Sequence, residues 1–177
     1  MKFFNFFRNK NGINYLLSDQ IIPKTTEILQ EYASIESAHE GFVYWCGNIT
    51  SKEAKITTVI APKTSSSYGR VSTSHASNFE FIKELNKRGL VHIAQVHSHP
   101  TNWVDHSEGD DHWAPFRSEG LVSIVVPNFG TTGMIPLQKC GIHRFENGFF
   151  NRLSNNDVKR YFKITSKIDF EFVELRK

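Results

Sequence analysis

The chain reads Leu90-Val91-His92-Ile93-Ala94-Gln95-Val96-His97-Ser98-His99-Pro100 near its middle. Residues 90–96 are mostly apolar, which predicts a buried strand. Alternate residues of a strand point to the same side of a sheet, so the imidazoles of His97 and His99 can converge on one point. Pro100 has no N–H for a sheet hydrogen bond and turns the chain, which leaves the histidine pair at the rim of the predicted sheet.

A carboxylate follows the histidine pair on a separate element. After six intervening residues, Ser107-Glu108-Gly109-Asp110 has the pattern of a helix start with Ser107 at the N-cap. Asp110 then lies in the first helical turn, from which its carboxylate can reach back to the end of the strand. Two neutral imidazoles and one carboxylate fill three corners of a zinc tetrahedron and leave the fourth open for water, as a catalytic site requires.

The histidine pair alone is weak evidence for a metal site, because many such pairs are ordinary surface residues. Four neighbouring side chains are alternative ligands or solvated groups: Asp105, His106, Asp111 and His112. Taken alone, the pair therefore leaves both a metal site and a surface role open.

Composition narrows the class of protein. The 177 residues are 39% hydrophobic and 22% charged, which suits one folded domain and argues against wholesale disorder. The net charge is +3 and Lys and Arg form no long run, so we expect no nucleic-acid partner.

No segment approaches the roughly 18 apolar residues of a membrane span, and the apolar N-terminus is too short for a signal peptide. Cys46 and Cys140 form no CxxC pair and suit a reducing compartment, so we predict a cytoplasmic protein without a membrane partner.

Apolar periodicity on both sides of the histidine motif predicts a mixed α/β fold. Predicted helices cover 24–37, 77–88 and 107–116, and predicted strands cover 42–49, 55–61, 70–74, 90–96, 120–127, 135–145 and 148–153. Asn11-Gly12 favours the tight turn of a hairpin over 2–17, whereas the tail over 156–177 is ambiguous between helix and strand. We therefore predict a central, mostly antiparallel β-sheet flanked by helices.

The predicted domain organisation is a single domain over residues 1–177. Its core covers about 25–153, the N-terminal hairpin precedes this core, and a C-terminal extension over 154–177 follows it. Pro23 is expected to break the chain before the first helix.

The second predicted helix carries clear end signals. Ser77 or Asn78 is the expected N-cap, and Gly89 is expected to end the helix. Its buried face is predicted to consist of Phe79, Ile82 and Leu85.

The motif His97-Ser98-His99-Pro100, six residues, Ser107, two residues and Asp110 resembles the signature of the JAB/JAMM (MPN+) zinc metallopeptidases, H-[ST]-H-P, six residues, then S-x-x-D. The match has no spacing error, and the resemblance spans roughly residues 25–130. This family has a glutamate before its first long apolar strand, where Glu40 stands here, although aromatic residues replace the family's usual aliphatic ones. Two other glutamates are alternatives for this position: Glu36 and Glu53.

The resemblance implies the cytidine-deaminase-like MPN (JAB) fold and a set of residue roles. His97, His99 and Asp110 would hold one Zn²⁺ per chain with a bound water. Glu40 would act as general base and then as general acid. Ser107 would donate a hydrogen bond to the oxyanion of the tetrahedral intermediate, although a hydroxyl cannot fully serve as helix cap and oxyanion donor at once.

The resemblance also implies a substrate class. Members of this family commonly cleave the peptide or isopeptide bond after the C-terminus of a ubiquitin-like protein, and short bacterial members resemble deconjugating enzymes of antiphage systems with E1-like and E2-like proteins. The segments 62–69 and 102–105 are candidates to frame the substrate groove, with Trp103 either contacting the substrate or being an ordinary exposed aromatic. Three alternatives stay open: a peptidase that processes a sulfur-carrier precursor, a non-catalytic MPN scaffold, and a metal hydrolase acting on nucleic acid or a small molecule.

Overall fold

A computed structural model describes residues 13–177 of the chain. The helices are α1 (Ile21–Ala33), α2 (His75–Arg88), α3 (Glu108–Trp113) and α4 (Asn155–Tyr161). The strands are β1 (Asn14–Ser18), β2 (Phe42–Ile49), β3 (Glu53–Ala61), β4 (Thr64–Ser67), β5 (Arg70–Thr73), β6 (Val91–Ser98), β7 (Val122–Val126), β8 (Gly141–Glu146), β9 (Phe149–Arg152), β10 (Phe162–Thr165) and β11 (Glu171–Glu174). No helix within this part of the chain is both long and apolar enough to cross a membrane.

A nine-stranded sheet organises the fold, in the order β10-β1-β3-β2-β6-β7-β8-β9, with β11 also pairing with β3. Strands β4 and β5 form a separate hairpin. The predicted mixed α/β class is therefore confirmed.

The sheet is evenly mixed instead of mostly antiparallel. Four strand pairs are parallel, namely β1–β10, β1–β3, β3–β11 and β6–β7. Four are antiparallel, namely β2–β3, β2–β6, β7–β8 and β8–β9. Parallel neighbours need a long crossover, so they join strands that are distant in sequence. Local strand-turn-strand patterns reveal the antiparallel hairpins but not these distant pairings.

Strand β2 is buried on both faces and has the bounds predicted from the sequence. Val43 and Trp45 belong to the core cluster on the α1 side, where the Trp45 indole donates to the Thr25 hydroxyl at 2.8 Å. Tyr44 faces the other side and stacks on Phe81 of α2 with ring centroids 3.8 Å apart. The alternation along one strand thus explains why helices cover both faces of the sheet.

The two long helices begin earlier than the sequence predicts. Helix α1 begins at Ile21 and includes Pro23 in its first turn, where backbone N–H groups have no intrahelical acceptor and proline is tolerated. Helix α2 begins at His75 because Ser74 is its N-cap, with its hydroxyl accepting from the Ser77 N–H at 3.1 Å. Gly89 ends α2 in the left-handed conformation, as predicted.

The predicted buried face of α2 is wrong for two of its three residues. Phe79 is 65% exposed and Ile82 39% exposed, whereas Phe81 is fully buried and Leu85 is buried. Leu85 belongs both to the stripe of Phe79 and Ile82 and to the stripe of Phe81. Helical periodicity cannot choose which of these two stripes is buried. The stacking of Phe81 on Tyr44 selects the buried stripe.

The chain ends contribute strands to the central sheet. The predicted hairpin over 2–17 lies outside the described residues up to residue 12, and the remainder forms β1. The C-terminal extension over 154–177 forms α4, β10 and β11. Strand β8 is shorter than the predicted strand over 135–145 because Leu137–Lys139 forms a 3-10 turn.

Gly141 on β8 lies against the loop that follows the histidine motif. A Cβ at this position would lie 1.7 Å from the carbonyl oxygen of Val104. We expect Gly141→Ala to lower the free energy of unfolding by about 2–3 kcal/mol, because backbone atoms must move to relieve the overlap. Urea denaturation measures this change. Gly69→Ala is the control, since a Cβ there meets nothing within 4 Å, and equal losses in both variants would contradict the steric explanation.

Candidate metal centre

Three potential ligand atoms converge at the rim of the sheet. The Nε2 atoms of His97 and His99 lie 3.1 Å apart. The two carboxylate oxygens of Asp110 lie 3.2 Å from these nitrogens, one oxygen to each ring. Within residues 13–177, these three side chains form the group of histidine, cysteine or acidic residues whose ligand atoms lie close enough together to hold a metal ion.

Strand β6 and its neighbour β2 place the two histidines. Strand β6 continues through Ser98, so His97 and His99 point to one side and are both buried, with 6% and 5% of their surface exposed. Ser98 points to the other side, where its hydroxyl accepts a hydrogen bond from the Gly41 N–H at 2.9 Å. The bond ties the chain beside Glu40 to the histidine motif.

The start of α3 places Asp110, as the sequence predicts. Ser107 is the N-cap, and its hydroxyl accepts from the Asp110 N–H at 3.0 Å. The Asp110 carboxylate in turn accepts from the Ser107 N–H at 2.7 Å, which completes a capping box. The cap therefore fixes the ligand residue as well as the helix end.

The donor set fits a divalent transition metal. Ligand atoms at about 2.0–2.1 Å from a tetrahedral zinc ion lie about 3.3 Å from one another, close to the spacing seen here. His99 Nδ1 lies 3.0 Å from the main-chain carbonyl of Trp103, so Nδ1 holds the ring proton and Nε2 keeps its lone pair for a metal. Burial opposes ionisation of Asp110, but its close contacts with His97 and His99 and the hydrogen bond from the Ser107 N–H hold its pKa below the ordinary value.

Glu40 shares one pocket with the three potential ligands. The pocket encloses about 360 Å³ and includes Glu40, both histidines and Asp110 in its lining. Burial raises the pKa of Glu40 from 4.5 to about 7; the charge of His99 opposes this rise and that of Asp110 adds to it. A buried carboxylate with a pKa near neutrality is suited to taking and returning a proton at physiological pH.

The alternative glutamates lie elsewhere. Glu36 is exposed before β2, and Glu53 begins β3 opposite Asn14, and neither lines this pocket. Glu40 is held by its own N–H, which donates to the Ser67 carbonyl of β4 at 2.9 Å.

The Glu40 environment predicts a pH dependence of stability in the metal-free protein. Because the folded pKa is raised, this group favours folding while protonated, and the benefit is lost as pH rises from about 4.5 to about 7. Relative to the E40Q variant, we expect the wild-type free energy of unfolding to fall by about 2–3 kcal/mol between pH 5 and pH 8. Chemical denaturation with chelator at both pH values measures this difference. Parallel pH profiles of the two proteins would contradict it.

Ser107 and Trp103 have contacts that the sequence did not reveal. The Ser107 hydroxyl donates to the Asp110 carboxylate at 2.8 Å, so its proton is directed at a potential ligand. Its role as an oxyanion donor stays a prediction that requires this proton to turn. The Trp103 ring is 48% exposed, lines the pocket and stacks on His99 with centroids 5.3 Å apart. Trp103 therefore supports His99, and its contact with substrate stays a prediction.

Other pocket residues were not predicted from the sequence. Gln95 lies two residues before His97 on the same side of β6, and Ser123 lies opposite Gln95 on β7. Arg70 and Trp113 form an outer wall, with the guanidinium 5.2 Å from the indole ring. Only the Gln95 position follows from strand alternation; the others depend on strand register and on the β4–β5 hairpin.

Comparison with known proteins identifies one metalloprotease relative and a similar fold. No protein-family model matches the chain. A protein named probable metalloprotease y4jG, from Sinorhizobium fredii, is 33% identical over 102 residues, which cover 53% of this chain and 60% of the relative. The chain thus spans less than two thirds of that relative's length.

The solution structure of protein DSY2949 from Desulfitobacterium hafniense is similar in fold. The TM-score is 0.63, with 87% of this chain and 94% of that chain covered, at 13% sequence identity. At this identity the likeness concerns the fold alone. The chain is therefore an α/β protein that carries a His-His-Asp group suited to a metal ion and is similar over part of its length to a probable metalloprotease.

Proposed function

We propose that this protein is a zinc-dependent metallopeptidase of the JAB/JAMM type. One observation carries the proposal: His97, His99 and Asp110 converge on one point, and the buried Glu40 opens into the same pocket. The similarity to a probable metalloprotease supports the hydrolase class. The complete spacing of the histidine motif supports the JAMM type.

The proposed chemistry is hydrolysis of an amide bond. Zinc held by His97, His99 and Asp110 would supply a Lewis acid and lower the pKa of water in the pocket. Glu40 takes a proton from the attacking water and returns it to the departing amine. Ser107 lines the same pocket and donates to the developing oxyanion once its hydroxyl turns away from Asp110.

The proposed substrate is the extended C-terminal tail of a ubiquitin-like protein, free or conjugated. Two lining residues support this choice: Gly69, the last residue of the 62–69 segment, and Trp103 of the 102–105 segment. Arg70 and Val71 of β5 line the pocket next to Gly69. An extended tail laid along a short hairpin can add a strand through its main chain. E1-like and E2-like proteins of a bacterial conjugation or antiphage system are the proposed partners.

Cleavage of a reporter fusion tests this function. We expect the purified protein to carry about one zinc per chain and to release a reporter joined after the tail of a ubiquitin-like protein, with loss of activity in chelator and recovery on zinc addition. A chain that binds no zinc would favour the scaffold alternative. Comparison of a linear precursor with an isopeptide conjugate separates sulfur-carrier processing from deconjugation.

A further inference from the structure

Helix α3 carries Asp110, but it buries no side chain of its own that would hold the helix in place. It has six residues, and none of them is buried. A helix of this length does not form stably without tertiary contacts. The exposed Arg117 binds carbonyl groups of Asp111 and His112 near the end of α3. Trp113 at the end of α3 lies 5.2 Å from the Arg70 guanidinium. The position of Asp110 relative to the histidines depends in addition on contacts made near the start of the helix, where Asp110 lies.

A chain of hydrogen bonds connects this start to the central sheet. His106 Nδ1 lies 2.8 Å from a carboxylate oxygen of Asp111, the residue after the ligand. His106 Nε2 lies 2.9 Å from the hydroxyl of Ser123, in the middle of β7. Because a carboxylate only accepts, Nδ1 holds the proton that is donated to Asp111, and Nε2 accepts from the Ser123 hydroxyl.

His106 is itself held firmly. Its side chain is 5% exposed, and its ring packs against His143 and Phe150 with centroids 4.2 and 4.8 Å away. Its ring lies 6.1 Å from that of His97. A buried, doubly hydrogen-bonded ring therefore bridges β7 and the ligand-bearing turn beside the metal centre.

The hydrogen-bond chain from Asp111 through His106 to Ser123 is neither a nucleophilic triad nor a second metal site. An aspartate, histidine and serine in this order resemble a nucleophilic triad. Ser123, however, is 1% exposed and its backbone is paired with Gln95 on one side and His143 on the other, which leaves no free N–H beside it for an oxyanion. His106 is also unsuited to bind a metal, because both ring nitrogens are engaged.

We propose that His106 is a positioning residue for the metal centre. By linking Asp111, whose side chain is 57% exposed, to Ser123 of β7, it sets the start of α3 so that the Asp110 carboxylate meets both histidines. This role rests on the proposed metal site but does not depend on the peptidase activity or the substrate.

Zinc affinity of the full chain tests the proposal. The H106F variant keeps an aromatic ring against Phe150 and loses both hydrogen bonds, and we expect its zinc dissociation constant to rise about 10- to 100-fold, as for other residues that orient ligands. Competition with a chromophoric chelator measures this constant. In the metal-free protein we also expect faster amide exchange at 108–113, and in the cobalt-loaded protein an altered visible spectrum.

Matched variants separate positioning from general stability. D111A should weaken zinc binding in the same direction, whereas D111N keeps an oxygen that accepts from His106 and should restore affinity. H112F is the control on the exposed face of α3 and should bind zinc like the wild type. S123A provides the second test if H106F does not fold, because it removes the other hydrogen bond.

The outcomes distinguish this inference from the proposed function. Unchanged zinc affinity and spectrum in H106F, or in S123A if H106F is unfolded, would overturn the positioning role even if the melting temperature fell. Equal losses in D111A and D111N would also overturn it. A wild-type protein that binds zinc but cleaves no fusion would overturn the peptidase proposal, while the affinity measurements would still decide the role of His106.

Discussion

The E40Q variant is expected to keep its zinc and lose its turnover. Glutamine has the size of the glutamate side chain but cannot take a proton from water, so we expect kcat to fall about 100- to 10,000-fold, the usual contribution of general acid-base catalysis. Glu40 is not among the three converging ligand atoms, so zinc content should stay at the wild-type level. Steady-state kinetics on a ubiquitin-like reporter fusion, with metal analysis of the same sample, measure both quantities.

The alternative glutamates provide matched controls. E36Q and E53Q make the same chemical change at positions that do not line the pocket, so both should retain wild-type kcat. Full activity in E40Q, or a large loss in either control, would eliminate Glu40 as the base.

The H97A and D110A variants are expected to lose metal and activity together. Each removes one of the three proposed ligands and leaves two, which would no longer suffice to hold zinc at a catalytic site. Wild-type protein at a free zinc concentration about 1,000-fold above its dissociation constant gains about 4 kcal/mol of stability, and we expect this gain to vanish in both variants. Thermal unfolding with and without zinc measures the gain, and metal analysis measures the occupancy.

The control for ligand removal lies on the same helix. His112 is exposed beside Asp110 and has no place in the converging group, so H112A should keep both zinc binding and the zinc-dependent stabilisation. Zinc bound with wild-type affinity by D110A would contradict the ligand assignment and point to a different metal site.

Local patterns in the sequence predicted several features that the structure confirms. Strand β2 has the predicted bounds, Gly89 ends α2, and Ser107 caps α3. Each of these depends on the conformational preferences of a few neighbouring residues, such as the freedom of glycine at positive φ. The roles of the potential ligands and of Glu40 stay predictions, although the structure brings these side chains into one pocket.

Features that depend on distant contacts could not be predicted. The buried stripe of α2 followed from the position of Tyr44 on β2, which selects Phe81 over Phe79. Strand β10 pairs in parallel with β1, and β11 pairs in parallel with β3. The C-terminal tail thus pairs with strands that lie far from it in the sequence. The tail pattern alone was ambiguous because pairing with a distant strand, and not local propensity, decides its conformation.

By itself, the sequence determined which side chains of the motif share a direction. Strand alternation aligned His97 with His99, and the cap pattern put Asp110 in the first turn of a helix, because both depend only on the geometry of one element. Tertiary structure alone decided the burial of Glu40 and the bridge from His106 to Ser123. These depend on strand register and on packing between elements far apart in the chain, which residue spacing does not encode.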